Sequence, residues 1–542
     1  MIQKHKLIFL SLASGLILAL SWPAGGFPFL AFVALVPLFF MESHILEHRR
    51  DYHRYSVFLY SWLAFGVFNL LTTWWILFAT IPGMIVAVLL NSLFMALPWA
   101  LMHYARRLLP GKQGVVTLVL FWLTFERLHS LWELSWSWLD LGNVFATVPR
   151  WVQWYEYTGV AGGTLWVLAI NILAYLLLSE ILSGRPRVRR LFWHGLFLLA
   201  GILIPLLLSL QIWNNYEEKH DPAEVVIVQP GRDPYQKAES AQDVMERVQH
   251  MLELARSKVS PQTRFVVAPE GASPSGIWIE DEERHPMVFS IRQFQEDYPR
   301  AAWVFGSFSY QMYYSPNQAS RSARPYGDSG RFYDAYNSAV MVPFNAPVQY
   351  YHKSKLVPGI ERMPFFTYLG PVGRMVERFG GIAGSLGTQD QRSVFDTEFL
   401  PAVAPVICYE SIYGDYMREY MLRGASMIFV ITNDGWWRDT PGYRQHNQYA
   451  RLRAIEFRRS IARSASTGIS SFIDQKGNII KSTNWWEADA MAENLNQNQR
   501  LTFFTIQGNF LGKLAVFLTI LLIFYMISQR IIARPGQKSV VR

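Results

Sequence analysis

The chain has 542 residues, about half of them apolar, with 15% aromatic and 17% charged residues, a net charge of +9 and one cysteine. A positive mean hydropathy with so few charges excludes an ordinary soluble protein. A single thiol excludes an intramolecular disulfide and the multi-thiolate zinc and iron–sulfur sites.

Seven apolar stretches precede residue 214, at about 7–22, 27–41, 56–79, 84–104, 114–128, 160–182 and 192–213, and an eighth runs from about 511 to 528. About 20 residues cross a ~30 Å hydrocarbon layer, so these are predicted spans; the second and fifth are short and need interfacial flanks or protein cover. The first lacks a small-residue cleavage pattern and reads as a retained helix, not a removed signal. Loop charges alternate along the series. Lys4 and Lys6 precede the first span, and Arg49, Arg50 and Arg54 follow the second. Arg106, Arg107 and Lys112 follow the fourth, Arg185, Arg187, Arg189 and Arg190 the sixth, and Arg530, Arg534, Lys538 and Arg542 the eighth. The connections 23–26 and 80–83 carry no charge. Basic residues accumulate on the cytoplasmic side, so both termini are expected there and segment 214–510 on the far side. The positive charge is then a set of topology signals and lipid anchors, and no nucleic-acid partner is expected.

Two motifs within the span region read as decoys or anchors. His44, Glu47 and His48 in HILEH fit a zinc-peptidase spacing but are expected in a solvated basic loop, with no metal. Segment 129–159 carries Trp132, Trp136, Trp138, Trp151 and Trp154, read as an interfacial aromatic belt, with Trp138 a candidate lipid-substrate contact.

Segment 214–510 changes character. Strands are predicted at 223–229, 263–270, 301–310, 338–344, 402–408 and 426–432, and a helix at 242–258, where Val244, Val248, Met251, Leu252 and Ala255 recur at helical spacing. Residues 311–334, rich in Ser, Arg, Tyr and Gly, are predicted to be a flexible loop. Alternating strands and helices imply an α/β layered domain with reactive groups at strand ends.

Three strand ends carry chemistry. RFVVAPE delivers Glu270, the hairpin SAVMVPFNAPVQYYHK delivers Lys353, and AVAPVIC delivers Cys408. A lone cysteine is most often a buried inert thiol. An acid, a cation and a thiol at separate strand ends instead suit acyl transfer through a base, an oxyanion donor and a nucleophile. Lys355 is a rival on the same face as Lys353, and the residues after Cys408 can start a helix whose dipole would favour thiolate. GASPSG at 271–276 misses the spacing of a serine nucleophile elbow, so Ser273 is read as shaping the turn after Glu270.

The segments APEGASP, YYHKSKLVPGIERMPF and VICYESIYG, followed by ITNDGWW, RLRAIEFRRSIARSASTG and DQKG, resemble the nitrilase superfamily. With seven spans before them and one after, the whole resembles its membrane-bound apolipoprotein N-acyltransferase family. The resemblance implies a nitrilase-like αββα sandwich at 214–510, inserted between a transmembrane domain at 1–213 and a final helix with a basic cytoplasmic tail at 511–542. It implies Glu270 as general base, Lys353 as oxyanion stabiliser and Cys408 as nucleophile, with Glu361, Tyr409 and Glu410 as supporting residues. One departure is visible: where many members read LVPFGE, this chain reads LVPGIE. The implied reaction moves an acyl chain from a membrane phospholipid, with phosphatidylethanolamine a candidate, to the α-amine of a diacylglyceryl-cysteine on an apolipoprotein, without a cofactor. A monomer in the bacterial inner membrane is expected, its catalytic domain periplasmic. The alternatives are a membrane-tethered amidase or nitrilase acting on a small C–N substrate, and a silent scaffold.

Overall fold

The computed structural model describes residues 2–109, 111–236, 238–362 and 385–532. It divides into two compact units, Met1–Asn214 with Asn509–Arg542, and Asn215–Gly508. Arg534, Lys538 and Arg542 of the expected basic tail lie outside the described residues.

The first unit is built of apolar helices. Seven precede the second unit in sequence: Ile2–Ser21, Val36–Glu47, Ser56–Thr73, Ile81–Leu108, Thr117–His129, Val160–Ile181 and Val188–Asn215. Phe510–Ile532 follows it. Among the described residues, seven segments are long and apolar enough to cross a membrane, six before and one after. The remaining helix, Thr117–His129, has 13 residues and lies along Ile81–Leu108 and Phe510–Ile532. Its Leu118, Phe121 and Trp122 are buried there, so the fifth apolar stretch has the protein cover its length requires. The buried Glu42 in this unit is ion-paired, meeting Arg106 and, at 2.7 Å, His103 Nδ1. His44 and His48, expected in a solvated loop, stand instead at the end of helix Val36–Glu47 with their rings stacked at 4.3 Å.

Trp138 is 1% exposed and packs against Trp75 at 4.9 Å and Trp136 at 5.7 Å. Its ring, a candidate lipid-substrate contact from the sequence, is enclosed by protein.

The second unit is a sandwich of two sheets. The first contains β1 (Pro222–Gln229), β2 (Thr263–Val267), β3 (Ile277–Trp278), β4 (Ala302–Tyr313), β5 (Arg324–Pro325), β6 (Phe332–Val342), β7 (Gln349–His352) and β14 (Asp489–Asn496). The second contains β8 (Phe395–Thr397), β9 (Leu400–Ile407), β10 (Met427–Thr432), β11 (Ile461–Ala465), β12 (Ser471–Ile473) and β13 (Ile479–Ser482). Each has a parallel centre, β1-β2-β4 in one and β9-β10-β11 in the other. Parallel strands are buried on both faces and therefore read as continuous apolar runs, as Val225, Val226, Ile227 and Val228 do.

Alternation along the strands splits that run between two contacts. Val226, Val228, Val266 and Trp303 face Val248, Met251 and Leu252 of helix Ala241–Arg256 and Met287, Ile291 and Phe294 of helix Pro286–Asp297 in one core. Phe265 points the other way and meets Phe429 of the second sheet edge to face at 5.0 Å. The second sheet carries helices Gly414–Leu422 and Pro441–Phe457, which completes an αββα order. The expected loop 311–334 is in part a hairpin: the β4–β6 ladder continues to the pair Tyr313–Phe332.

Candidate active site

Glu270 follows β2 by three residues, in the turn Pro269–Ala272. Gly306 of β4 lies directly beneath it, and a Cβ there would stand 2.5 Å from Glu270 Cα, so only glycine lets the turn seat. The carboxylate is held at both oxygens. Oε1 accepts from Asn337 Nδ2 at 2.7 Å and Lys353 Nζ at 3.4 Å, and Oε2 accepts from the Asn433 backbone N–H at 3.1 Å. Ser273 shapes the turn as expected, its hydroxyl donating to the Ser275 carbonyl at 2.8 Å.

Lys353 follows β7 and is 1% exposed. Its ammonium donates to Glu361 Oε1 at 2.8 Å as well as to Glu270. Burial alone would favour the neutral amine, but the Glu270 and Glu361 carboxylates outweigh it and hold the pKa well above the usual lysine range. Lys355, the rival, places its ammonium 4.6 Å from the Tyr413 ring centre, and burial with Arg362 and Arg392 lowers its pKa to about 8. Glu361 also accepts from Val357 N–H at 2.8 Å, which closes the LVPGIE loop. Gly359 has φ +81°, a conformation that suits glycine, so the displaced glycine supports the turn that returns Glu361 to Lys353.

Asn337, absent from the expectations, donates to both carboxylates, at 2.7 Å to Glu270 and 2.8 Å to Glu361. It sits buried on β6 between Tyr336 and Ser338, just before the predicted strand 338–344, where no sequence pattern singles it out.

Cys408 follows β9 directly with φ +48°, a left-handed conformation that costs a non-glycine residue about 1–3 kcal/mol. The expected helix start is a short 3₁₀ turn, Cys408–Ile412, and the α-helix begins only at Gly414. The expected thiolate is corrected with it. Burial pushes the thiol pKa well up, Glu270 adds to the rise, and Lys353 offsets part of it, so the resting group is the neutral thiol.

Glu410 is fully buried and joins the cysteine turn to the lysine strand. Oε1 accepts from Tyr351 OH at 2.8 Å, Tyr416 OH at 2.6 Å, Ser354 N–H at 2.9 Å and Lys355 N–H at 3.3 Å, while Oε2 accepts from Ile407 N–H at 3.0 Å. Tyr409, also buried, accepts from the Tyr413 hydroxyl at 2.5 Å. The structure thus gathers Glu270, Lys353, Glu361 and Cys408 into one electrostatic cluster, braced by Glu410. A buried ammonium beside a neutral thiol, with a carboxylate oriented by three donors, can remove a thiol proton and stabilise an oxyanion.

Residues 225–499 match the carbon-nitrogen hydrolase family, so the sandwich and its Glu, Lys and Cys cluster define a domain of that class. Residues 14–173 match the apolipoprotein N-acyltransferase N-terminal domain. The chain is 31% identical over 511 residues to the apolipoprotein N-acyltransferase of Chlorobaculum tepidum, covering 92% of each. It is 24% identical to apolipoprotein N-acyltransferase 1 of Treponema denticola, over 99% of this chain and 100% of that one. The crystal structure of Saccharomyces cerevisiae Nit3, a nitrilase-superfamily member, aligns with 53% of this chain and 93% of its own, at 14% identity and a TM-score of 0.37. The chain belongs to the apolipoprotein N-acyltransferase family. It is an acyltransferase and a membrane protein, which favours that reading over the amidase alternative.

Proposed function

We propose that the chain transfers an acyl chain from a membrane phospholipid to the α-amine of the diacylglyceryl-cysteine at an apolipoprotein N-terminus, through a thioester on Cys408. Glu270 takes the Cys408 proton as sulfur attacks the ester carbonyl, and the Lys353 ammonium stabilises the oxyanion. The lysophospholipid leaves with the proton from Glu270. The acceptor amine then attacks the thioester, Glu270 takes the amine proton, and the thiolate departs. Glu361 and Asn337 hold Lys353 and Glu270 in register for both halves.

The observation that carries this reading is the buried Lys353 ammonium shared by Glu270 and Glu361 beside the chain's single thiol. The apolar helices on either side of the domain in sequence suit a reaction whose donor and acceptor are both lipids. The alternating loop charges support an inner-membrane location, with the catalytic domain periplasmic and both termini cytoplasmic. Detergent-solubilised protein incubated with labelled phosphatidylethanolamine, with and without a diacylated lipopeptide, tests the reaction. Label on the lipopeptide amine supports it; hydrolysis of a small amide without any lipid acylation refutes it.

A further inference from the structure

A second buried network reaches Cys408 and has no part in the triad. Thr432, Asp434, His446, Arg463 and Ser411 are each 2% exposed or less. Arg463 Nη2 lies 2.5 Å from Asp434 Oδ2. Asp434 Oδ1 accepts from the Thr432 hydroxyl at 2.8 Å and lies 3.0 Å from His446 Nδ1. His446 Nε2 stands 2.9 Å from Ser411 Oγ and 3.2 Å from the Cys408 carbonyl, to which Ser411 also donates at 2.7 Å.

The sheet register explains the convergence. β9 and β10 are parallel neighbours with Ile407 opposite Ile431, so the next residues, Cys408 and Thr432, leave their strands side by side. That register sets the Thr432 side chain beside the thiol, where its hydroxyl favours the charged sulfur. Burial alone would raise the Asp434 pKa, but Arg463 and His446 hold it well below the carboxylate range, so Asp434 stays an acceptor. His446 Nδ1 also lies 3.2 Å from Arg463 Nη2, so the imidazole is held between Asp434 and Arg463 on one side and Ser411 on the other, while the Ser411 hydroxyl donates to the Cys408 carbonyl.

We propose that Thr432 is the hydroxyl donor to the Cys408 thiolate, kept in place by Asp434, and that His446 and Ser411 are positioning residues that fix the left-handed Cys408 backbone. The inference rests on Cys408 being the nucleophile. As the S–H proton passes to Glu270, the Thr432 O–H turns from Asp434 Oδ1 to the sulfur. Thr432 loses no proton, and Asp434 keeps its contacts with His446 and Arg463. When sulfur bonds to the acyl carbon, the hydroxyl returns to Asp434. It turns to the sulfur again when the amine expels the thiolate.

The single cysteine makes the test readable in the full-length detergent-solubilised protein, as the rate of iodoacetamide alkylation against pH followed by intact mass. A hydrogen bond to a charged group is worth roughly 10- to 100-fold, so Thr432→Val should slow alkylation at neutral pH by about that factor and move the profile up by about one unit or more. Thr432→Ser, which keeps the hydroxyl, should restore both. His446→Gln should shift the profile in the same direction as Thr432→Val. If Thr432→Val does not fold, Thr432→Ala removes the same hydroxyl and replaces it in the test. A valine or alanine profile superimposable on the wild type, or a serine variant as impaired as valine, overturns the donor role. An unchanged His446→Gln profile overturns the positioning role. Alkylation does not require acyl transfer. A Cys408→Ala enzyme that still acylated lipopeptide would therefore refute the nucleophile assignment without altering this measurement.

Discussion

Glu410→Gln tests whether the lysine strand and the cysteine turn are held in register by one side chain. The carboxylate receives five donors, four on Oε1 and one on Oε2. An amide has only one acceptor oxygen. Its less costly orientation keeps that oxygen toward Tyr351, Tyr416, Ser354 and Lys355 and turns the NH₂ toward the Ile407 N–H. One buried donor is then opposed by another, and the remaining bonds lose their charge assistance. A lost bond to a charged group is worth about 1.5–3 kcal/mol and an orphaned buried donor about 1–3, so a net cost of about 3 kcal/mol follows. The turn that carries Cys408 should shift relative to Lys353, and a misplacement of ~1 Å costs about 100-fold in rate. Thermal unfolding in detergent and the rate of acyl-adduct formation from phospholipid read the two effects. A variant that matched wild type in both would refute the bracing role, and one that lost stability but kept its rate would separate bracing from catalysis.

Phospholipid alone should leave one acyl chain on Cys408, visible by intact mass and released by neutral hydroxylamine, and Cys408→Ala should abolish adduct and transfer. Cys408→Ser should be nearly as poor, since a hydroxyl is far harder to deprotonate than a thiol. Lys353→Met should cut adduct formation by roughly 100- to 1,000-fold, the scale of a lost oxyanion donor, whereas Lys355→Met, whose ammonium faces the Tyr413 ring, should be much milder. The reverse order would place the essential cation on Lys355. His285 and His352 are held down to about 4 by burial, against an ordinary 6.5. The unfolded chain therefore binds protons that the folded chain refuses, so stability is full above pH 6.5 and falls as pH drops toward 4. Melting temperatures across that window should fall less steeply in His352→Gln, and an unchanged slope would contradict the assignment.

Legibility followed burial. β1, β2, β9 and β10 could be read because parallel strands covered on both faces leave uninterrupted apolar runs. β11 could not, because its IARSA run buries Arg463 and Ser464 in polar contacts that no hydropathy pattern records. The far end of the β4–β6 ladder was hidden by its serines, glycines and arginines, which hydropathy assigns to a loop although the backbone continues to pair. In the site, Glu270 and Cys408 stand out because each closes an apolar run, and Lys353 because it ends the hairpin strand QYYH. Asn337, Asp434 and His446 do not. They are brought to the same place by cross-strand register and helix packing, which separate positions in a sequence do not encode. The direction of the thiol shift was also out of reach, since it depends on how far the 3₁₀ turn buries Cys408 and on how close Glu270 comes.

That shift determines when the proton can move. Lys353 is a single cation between two carboxylates, so the cluster with a neutral thiol already carries one excess negative charge. Losing the thiol proton to water would add a second negative charge in a buried place, which is why the thiol is held protonated. Passing the proton to Glu270 leaves the total unchanged, because the negative charge only moves from carboxylate to sulfur. In doing so it frees Lys353 from one of its two partners at the moment an oxyanion needs it. In the proposed mechanism, deprotonation and activation of the oxyanion donor are then one event, because the proposed base also binds the lysine. Glu361, the closer of the two carboxylates to the Lys353 ammonium at 2.8 Å against 3.4 Å, keeps it in place in the proposed mechanism while Glu270 changes state.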